Sequence, residues 1–152
     1  MIEVRLAKEN DIPRIIELYA ELNIPNSIAE SDKKPSLMDY KRTLNEINSV
    51  PGYELLVAED NKDVVLGTMM LLVMPNLAHP ASPWALVENL IVDSKQQRRD
   101  IGEKLVDYAI RQARNAGCYK IIINTDTERV GTRQFYRSLG FESSAHVYSI
   151  YL

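Results

Sequence analysis

The most informative stretch of the chain is Leu86-Val-Glu-Asn-Leu-Ile-Val-Asp-Ser-Lys-Gln-Gln-Arg-Arg-Asp-Ile-Gly-Glu-Lys-Leu105. Its first part belongs to an apolar run from Trp84 to Val92, which predicts a strand in the centre of a sheet. Only Glu88 and Asn89 interrupt that run. A basic loop follows and leads into a helix predicted from Ile101 to Ala116.

The loop between this strand and this helix is predicted to bind an anion. The first turn of a helix presents backbone N–H groups without partners, and the helix dipole places partial positive charge there. Arg98 and Arg99 add charge at the same place. The predicted ligand is a phosphate or pyrophosphate, although the spacing alone is equally consistent with a solvated basic turn.

Composition and charge restrict the class of protein. The chain has 152 residues and is 45% hydrophobic and 26% charged, which suits one globular domain. A net charge of −3 without a basic tract argues against nucleic-acid binding. Cys118 is the only cysteine, which excludes an internal disulfide, and neither histidine has a cluster of metal ligands beside it, so no metal is expected. The N-terminus does not resemble a signal peptide, and the longest apolar run is too short to cross a membrane, so we expect a cytoplasmic protein without membrane contact.

Periodicity and turn residues predict the order β-α-α-β-β-β-α-β-α-β, an α/β pattern around one mixed sheet. The elements before the quoted stretch are a strand from Glu3 to Leu6, a helix from Ile12 to Leu22, a helix capped by Ser36 with Asp39, and a hairpin of strands from Tyr53 to Glu59 and from Val64 to Met74. The elements after it are a strand from Tyr119 to Asn124, a helix from Val130 to Leu139 and a final strand from Ala145 to Leu152.

Two motifs, Gln97-Arg-Arg-Asp-Ile-Gly102 and Phe135-Tyr136-Arg-Ser-Leu-Gly140-Phe141, make the chain resemble the GNAT family of N-acetyltransferases. The first is similar to the family's Gln/Arg-x-x-Gly-x-Gly/Ala pyrophosphate loop, and the second matches the family's second motif. The start of the chain, from Val4 to Leu18, is typical of the family's first strand and helix. Gly117-Cys-Tyr-Lys-Ile-Ile-Ile123 has a weaker likeness to the glucosamine-6-phosphate N-acetyltransferase branch.

The resemblance implies a single-domain GNAT fold over residues 1–152, with acetyl-CoA bound where two parallel strands of the mixed sheet splay apart. In the family the pantetheine arm pairs with the first of these strands, and the pyrophosphate takes backbone N–H groups of the loop. The residues so implied to bind the coenzyme are Leu90, Ile91, Val92, Gln97, Arg98, Arg99, Asp100, Ile101, Gly102, Glu103, Lys104, Asn124, Phe135 and Tyr136.

One departure from the family motif falls in the loop, where Asp100 replaces a glycine. At ~5 Å two unit charges repel by roughly 1 kcal/mol in water and about 3 kcal/mol at an effective dielectric of 20. Asp100 can instead turn away and cap the helix starting at Ile101, and the two arginines can screen the repulsion. We predict that coenzyme A binding is weakened but not abolished.

Two side chains are candidates for proton transfer. Amide formation from a thioester requires a neutral amine, and Glu88, which interrupts the central strand just before the implied thioester position, is the candidate general base. In a regular strand Glu88 is half buried on the same face as Leu86 and Leu90, with Asn89 on the opposite face. The resemblance places the general acid for the leaving thiolate at Tyr136. The alternative for Glu88 is a structural carboxylate paired with an arginine. The alternative for Tyr136 is a tyrosine of the hydrophobic core.

The resemblance implies an enzyme that transfers acetyl directly from acetyl-CoA to a primary amine of a small molecule, in a family where homodimers are common. The alternative is a non-catalytic acyl-CoA-binding regulatory domain. Asp100 favours that alternative, whereas Glu88 and Tyr136 argue against it. The region implied to bind the acceptor carries mixed charge, so it selects no class of amine.

Overall fold

The computed structural model describes residues 1–22, 34–96, 99–125 and 130–151. Within these ranges one mixed sheet has the strand order β1-β2-β3-β4-β5. Its strands are β1 Glu3–Leu6, β2 Tyr53–Glu59, β3 Val65–Met74, β4 Trp84–Val92 and β5 Ile121–Ile123. Neighbouring strands are antiparallel except β4 and β5, which are parallel. The predicted α/β architecture with a mixed sheet is confirmed.

The helices are α1 Ile12–Tyr19, α2 Leu37–Ser49, α3 Arg99–Asn115 and α4 Val130–Ser138, with short helical segments at Glu9–Asp11 and Ala78–Ala81. Helix α2 has the predicted capping box. The Ser36 hydroxyl accepts a hydrogen bond from the Asp39 N–H at 3.2 Å, and the Asp39 carboxylate accepts one from the Ser36 N–H at 2.8 Å. Helix α3 begins at Arg99, which places Asp100 inside its first turn, so the predicted cap by Asp100 is wrong.

The first structural unit, Met1–Leu22 with Pro35–Asn124, has helices on both faces of the sheet. On the face covered by α3, Ile101 and Leu105 are fully buried against β3 and β4. On the face covered by α1 and α2, Leu18 and Leu44 are buried against β2 and β3. Each such side chain stabilises the fold by roughly 1.5–3 kcal/mol. These two layers hold β4 in the interior of the unit.

Gly67 on β3 lets β4 and the start of α3 approach closely. A Cβ at this position would lie 2.9 Å from the carbonyl oxygen of Ile91, 3.2 Å from Cγ2 of Ile101 and 3.3 Å from Cδ1 of Leu105. Any side chain here would push α3 or β4 away. The glycine therefore fixes the position at which the chain leaves β4 and enters α3.

The described residues from Thr125 onward belong to a second unit. The final strand predicted from Ala145 to Leu152 is wrong over the described residues, because 142–151 have no strand structure. Val147, Tyr148 and Ile150 are largely exposed there. Valine, tyrosine and isoleucine favour a strand, but a strand requires hydrogen bonds to a neighbour, which composition does not specify.

Two elements are shorter than predicted. Helix α1 ends at Tyr19 rather than Leu22, and β5 lacks the residues on either side of its three isoleucines. No helix in the described ranges is both long and apolar enough to span a membrane. The same ranges contain no group of three His, Cys, Asp or Glu side chains placed to hold a metal ion.

Candidate active site

Strand β4 has different neighbours along its two halves. Its first half pairs with β3 and also with β5, where Ala85 lies opposite Ile121 and Val87 opposite Ile123. The Asn124 N–H then donates to the Val87 carbonyl at 3.2 Å. Beyond this point the β4–β5 pairing of the described residues stops, while β3 stays paired with β4 to its end. Among the described residues, the pairing of β4 with β5 therefore ends just before Glu88.

A β-bulge lies where this pairing ends. Met70 on β3 is opposite Glu88, and Thr68 is opposite Ile91, so three steps along β4 match two along β3. Asn89, inside this interval, has a φ of 52°. Asparagine adopts this left-handed conformation more readily than most residues. The extra residue is accommodated by Asn89, as in other bulges that redirect side chains beside functional sites.

The bulge changes which way the β4 side chains point. Leu90 packs in the core on the α3 face, so it does not share a face with Glu88 as regular alternation predicts. Glu88 lies directly across from Met70, which packs on the α1/α2 face. The Asn89 amide donates to the sulfur of Met70 at 3.3 Å. Glu88 and Asn89 are therefore on one face, and the prediction of opposite faces is wrong.

Glu88 is half buried, as predicted, and its carboxylate is oriented by Asn124. The Asn124 side-chain amide donates to Oε1 of Glu88 at 2.7 Å. Because Asn124 directly follows β5, this hydrogen bond joins the two strands where their pairing ends. Among the described residues Glu88 forms no salt bridge, so the alternative of a carboxylate paired with an arginine does not apply there. A neutral amide orients the carboxylate without cancelling its charge.

Tyr53, which the sequence did not connect to Glu88, lies next to it, and Tyr19 lies next to Tyr53. The Tyr53 hydroxyl donates to the sulfur of Met70 at 3.3 Å, and burial together with the charge of Glu88 raises the pKa of Tyr53. Burial and the neighbouring Tyr53 raise the pKa of Tyr19 to about 12. Both phenols stay protonated at neutral pH. The proximity of Tyr53 to Glu88 depends on the β2–β3–β4 register, which the sequence does not reveal.

The residues implied to hold the pantetheine arm follow the bulge. Leu90, Ile91 and Val92 are half buried and lie along the part of β4 that β5 no longer accompanies. Their position agrees with an edge of backbone open to another extended group. Their role as a binding edge stays a prediction.

The diphosphate-binding turn predicted before α3 is only partly described. Gln97 and Arg98 lie outside the described residues, as does the side chain of Arg99. Because α3 begins at Arg99, the N–H groups of Asp100 and Ile101 lie in its first turn. The Ile101 side chain is fully buried, so only its backbone can meet a ligand.

The rest of the predicted diphosphate site lies further along α3. Gly102 is buried, Glu103 is half buried and Lys104 is exposed. The N–H groups of Glu103 and Lys104 donate within the helix, since only the first turn has unpaired donors. Glu103 and Lys104 can therefore contact a diphosphate only through their side chains. Backbone N–H groups of the predicted anion site come from the first turn of α3 alone.

The second motif folds as helix α4 with a tight turn after it. The Phe141 N–H donates to the Tyr136 carbonyl at 3.0 Å, and Gly140 has a φ of 90°. The Tyr136 ring contacts Phe135 and Phe141 edge to face, with centroids 5.1 and 6.0 Å away. Burial raises the pKa of Tyr136, which keeps its hydroxyl protonated. This packing agrees with a core tyrosine and with a proton donor, and the acid role stays a prediction.

Comparison with known proteins supplies an independent finding. A model of the acetyltransferase (GNAT) family matches residues 12–141. The chain is 27% identical over 122 residues to a glucosamine 6-phosphate N-acetyltransferase of Candida albicans, which covers 80% of this chain and 77% of that protein. A transcriptional regulator from Bacillus halodurans has a TM-score of 0.86 at 28% identity, with 100% of both chains covered. The glucosamine-6-phosphate N-acetyltransferase of Arabidopsis thaliana has a TM-score of 0.83 at 20% identity, with 99% of this chain and 98% of that chain covered, a likeness of fold alone.

Proposed function

Because the chain belongs to the acetyltransferase (GNAT) family, we propose that it transfers the acetyl group of acetyl-CoA directly to the primary amine of a small molecule. The observation that carries this proposal is the end of the β4–β5 pairing before Glu88, where Asn124 orients the carboxylate at 2.7 Å. From Glu88 onward the described residues leave one edge of β4 without a paired strand beside a charged group, which suits a thioester donor and an amine acceptor. We propose further that residues 1–152 act as one domain.

On the donor side, β4 and α3 supply the contacts. Leu90, Ile91 and Val92 present backbone beyond the bulge to the pantetheine arm, and the N–H of Leu90 stabilises the oxyanion that develops on the thioester carbonyl. The first turn of α3 receives the diphosphate, with Arg98 and Arg99 adding positive charge. Phe135 packs against the pantetheine.

Glu88 and Tyr136 carry the proton transfers. Glu88 accepts a proton from the amine, directly or through one water molecule. The amine nitrogen bonds to the carbonyl carbon and the carbon–sulfur bond breaks. Tyr136 donates its hydroxyl proton to the leaving thiolate and regains a proton through solvent as the nitrogen loses its second one, so the products are an acetamide and the free thiol of coenzyme A. The raised pKa of Tyr136 keeps that proton in place until the thiolate forms.

The acceptor lies, in this proposal, on the α1/α2 face beside Glu88. Tyr53 and Tyr19 place two protonated phenols there, which donate hydrogen bonds to hydroxyl or phosphate oxygens. The Candida albicans relative is named for glucosamine 6-phosphate. Amino sugars and their phosphates are therefore the first acceptors to test, followed by polyamines, aminoglycosides, amino acids and peptides with free N-termini.

The test has a binding arm and a turnover arm. A thermal shift is measured with acetyl-CoA, and release of free thiol is then followed with the panel of amines. We expect stabilisation by acetyl-CoA and thiol release that depends on one class of amine. Stabilisation by acetyl-CoA without thiol release for any amine would contradict the enzyme and support the alternative, the acyl-CoA-binding regulatory domain that Asp100 favours. No stabilisation by acetyl-CoA and no thiol release would refute both.

A further inference from the structure

Met70 on β3 accepts two hydrogen bonds at its sulfur beside Glu88. The Tyr53 hydroxyl and the Asn89 side-chain amide each donate to it at 3.3 Å. Because Tyr53 lies on β2 and Asn89 on β4, the sulfur joins three neighbouring strands at one atom. Met70 is also the residue directly opposite Glu88 in the register of β3 and β4. The thioether therefore fixes two polar side chains next to the candidate base.

Two adjacent methionines on β3 have different environments. Met69 is fully buried among apolar side chains on the face covered by α3. Met70 is half buried on the face covered by α1 and α2, and its sulfur meets a phenol and an amide. Filling the core accounts for Met69. It does not account for the convergence of two hydrogen-bond donors on Met70.

The sulfur determines which end of the Asn89 amide it holds. A thioether accepts hydrogen bonds weakly and donates none, so it takes the NH2 group of the amide. The carbonyl oxygen of the same amide is then left for another donor. The bulge brings Asn89 to the face of Glu88, with a φ of 52° at Asn89. A carboxylate and an amide oxygen are thus presented side by side.

An amine carries the donors that this pair of acceptors requires. Oε1 of Glu88 accepts from Asn124, which leaves Oε2 of the carboxylate for one N–H of the amine. The carbonyl oxygen of Asn89 can accept a second N–H, and two such contacts orient the nitrogen. The side chain of Asn89 must be ordered for this contact, and Met70 is the residue that orders it.

We propose that Met70 is a positioning residue for the acceptor: its thioether, anchored by Tyr53, holds the Asn89 amide so that the carbonyl oxygen accepts an N–H of the amine beside Glu88. This inference rests on the proposed function. A methionine side chain has three rotatable bonds, and the hydrogen bond from Tyr53 limits their freedom. Ordering the site before the amine binds strengthens binding, so Met70 acts on the KM for the amine.

Two substitutions of Met70 separate hydrogen bonding from packing. Met70→Leu keeps an apolar side chain of similar volume, a change that packed sites tolerate, but removes the acceptor. Met70→Gln keeps the length of the side chain and supplies an amide oxygen that can accept from Asn89, although it places a polar group among apolar ones. A positioning role makes the glutamine variant the more active of the two. A packing role makes the leucine variant the more active.

Met69→Leu is the matched control. It makes the same chemical change one residue away, on the opposite face of the same strand. It should affect stability at least as much as Met70→Leu, because Met69 is fully buried. It should leave the kinetics of the amine unchanged.

The experiment measures thiol release from acetyl-CoA with the first active amine of the panel, beginning with glucosamine 6-phosphate. We expect Met70→Leu to raise the KM for the amine about 10-fold and to change kcat and the KM for acetyl-CoA less than about 2-fold. Met70→Gln should return the KM for the amine to within about 3-fold of wild type. The magnetic resonance signals of the Asn89 side-chain amide, recorded without substrate, should shift in Met70→Leu more than in Met69→Leu.

Four results would overturn the inference. They are an unchanged KM for the amine in Met70→Leu, a glutamine variant that is no better than the leucine variant, equal rises in KM for the amine and for acetyl-CoA, and Asn89 signals that do not respond to Met70→Leu. In each of these cases the wild-type protein still turns over. Failure of the wild-type protein to release thiol with any amine is a different outcome, which refutes the proposed function and this inference with it before any variant is compared.

Discussion

The two halves of β4 have opposite characters. The segment from Ala85 to Val87 is paired on both sides, and Ala85 and Val87 are fully buried. Glu88 to Val92 is half buried, is paired on one side among the described residues, and contains a residue with positive φ. One continuous strand thus builds core with its first half and a candidate active site with its second. The change occurs at the two polar residues that interrupt its apolar run.

The difference between the two halves of β4 shows how a strand can leave backbone available to a ligand while it stays packed in the fold. The strand stays anchored to β3 along its whole length, and Gly67 admits α3 close to its end. Among the described residues, only the edge of β4 that faces β5 lacks a paired strand beyond Val87. A bulge then aims Glu88 and Asn89 at one face, which regular alternation would not do.

The largest effect on activity should come from removing the charge of Glu88, in the second half of β4. Glu88→Gln retains an oxygen for Asn124 but cannot accept a proton, so kcat for acetyl transfer should fall about 10²–10⁴-fold at neutral pH. The loss should shrink as pH rises, because more of the amine is then neutral without a base. Steady-state rates between pH 7 and the pKa of the chosen amine test this.

A matched carboxylate on the same sheet serves as the control for that variant. Glu54 is also half buried on a strand, but it faces α3 and interacts with Tyr108. Glu54→Gln should leave kcat unchanged. If both variants lose activity alike, Glu88 has no special role.

The second prediction concerns the β-bulge at Asn89. Asn89→Gly tolerates a positive φ, whereas Asn89→Val places a β-branched residue where it is strained by roughly 1–3 kcal/mol. We expect the valine variant to unfold at lower denaturant concentration and to lose more activity, since removing the bulge turns Glu88 away. Equal stability and activity in the two variants would mean that the bulge does not depend on residue 89.

Sequence reasoning predicted the apolar half of β4 better than its polar half. The bounds of β4 and the interruption at Glu88 follow from composition along the chain. The bulge does not, because it arises from the register between Met70 and Thr68 on the neighbouring strand. For the same reason Tyr53 and Asn124, which approach Glu88 only across the sheet, were not linked to it. The apolar C-terminal residues that the structure describes form no strand, because their composition does not supply a neighbour to pair with.

The third prediction concerns pH and the end of the second half. Asp93 has a lowered pKa in the folded protein, through the N–H of Lys95 and the Arg14 guanidinium. A lowered folded pKa means that its stabilising contribution is full above the unfolded value near 3.9 and is lost as pH falls through the folded value. Urea unfolding of wild type and Asp93→Asn should therefore differ at pH 7, and the difference should shrink as pH falls below the unfolded value near 3.9. A constant difference across that range would contradict the assignment.

The smallest effect should come from Asp100, in the first turn of α3. Asp100→Gly removes a negative charge near the proposed diphosphate, so coenzyme A affinity should rise about 5-fold, the equivalent of roughly 1 kcal/mol. The same change removes a favourable charge from the helix N-terminus and adds a glycine, so the melting temperature should fall. Titration calorimetry with coenzyme A checks the first effect. Unchanged or weaker affinity would show that the loop does not place this carboxylate against a phosphate.

The most direct test of the account is a crystal structure of the protein with coenzyme A. We expect the pantetheine arm along the backbone of Leu90 to Val92, with the thiol close to Glu88 and the diphosphate at the first turn of α3. Coenzyme A bound elsewhere would contradict the central claim. So would a complex in which β5 occupies the edge of β4 beyond Glu88.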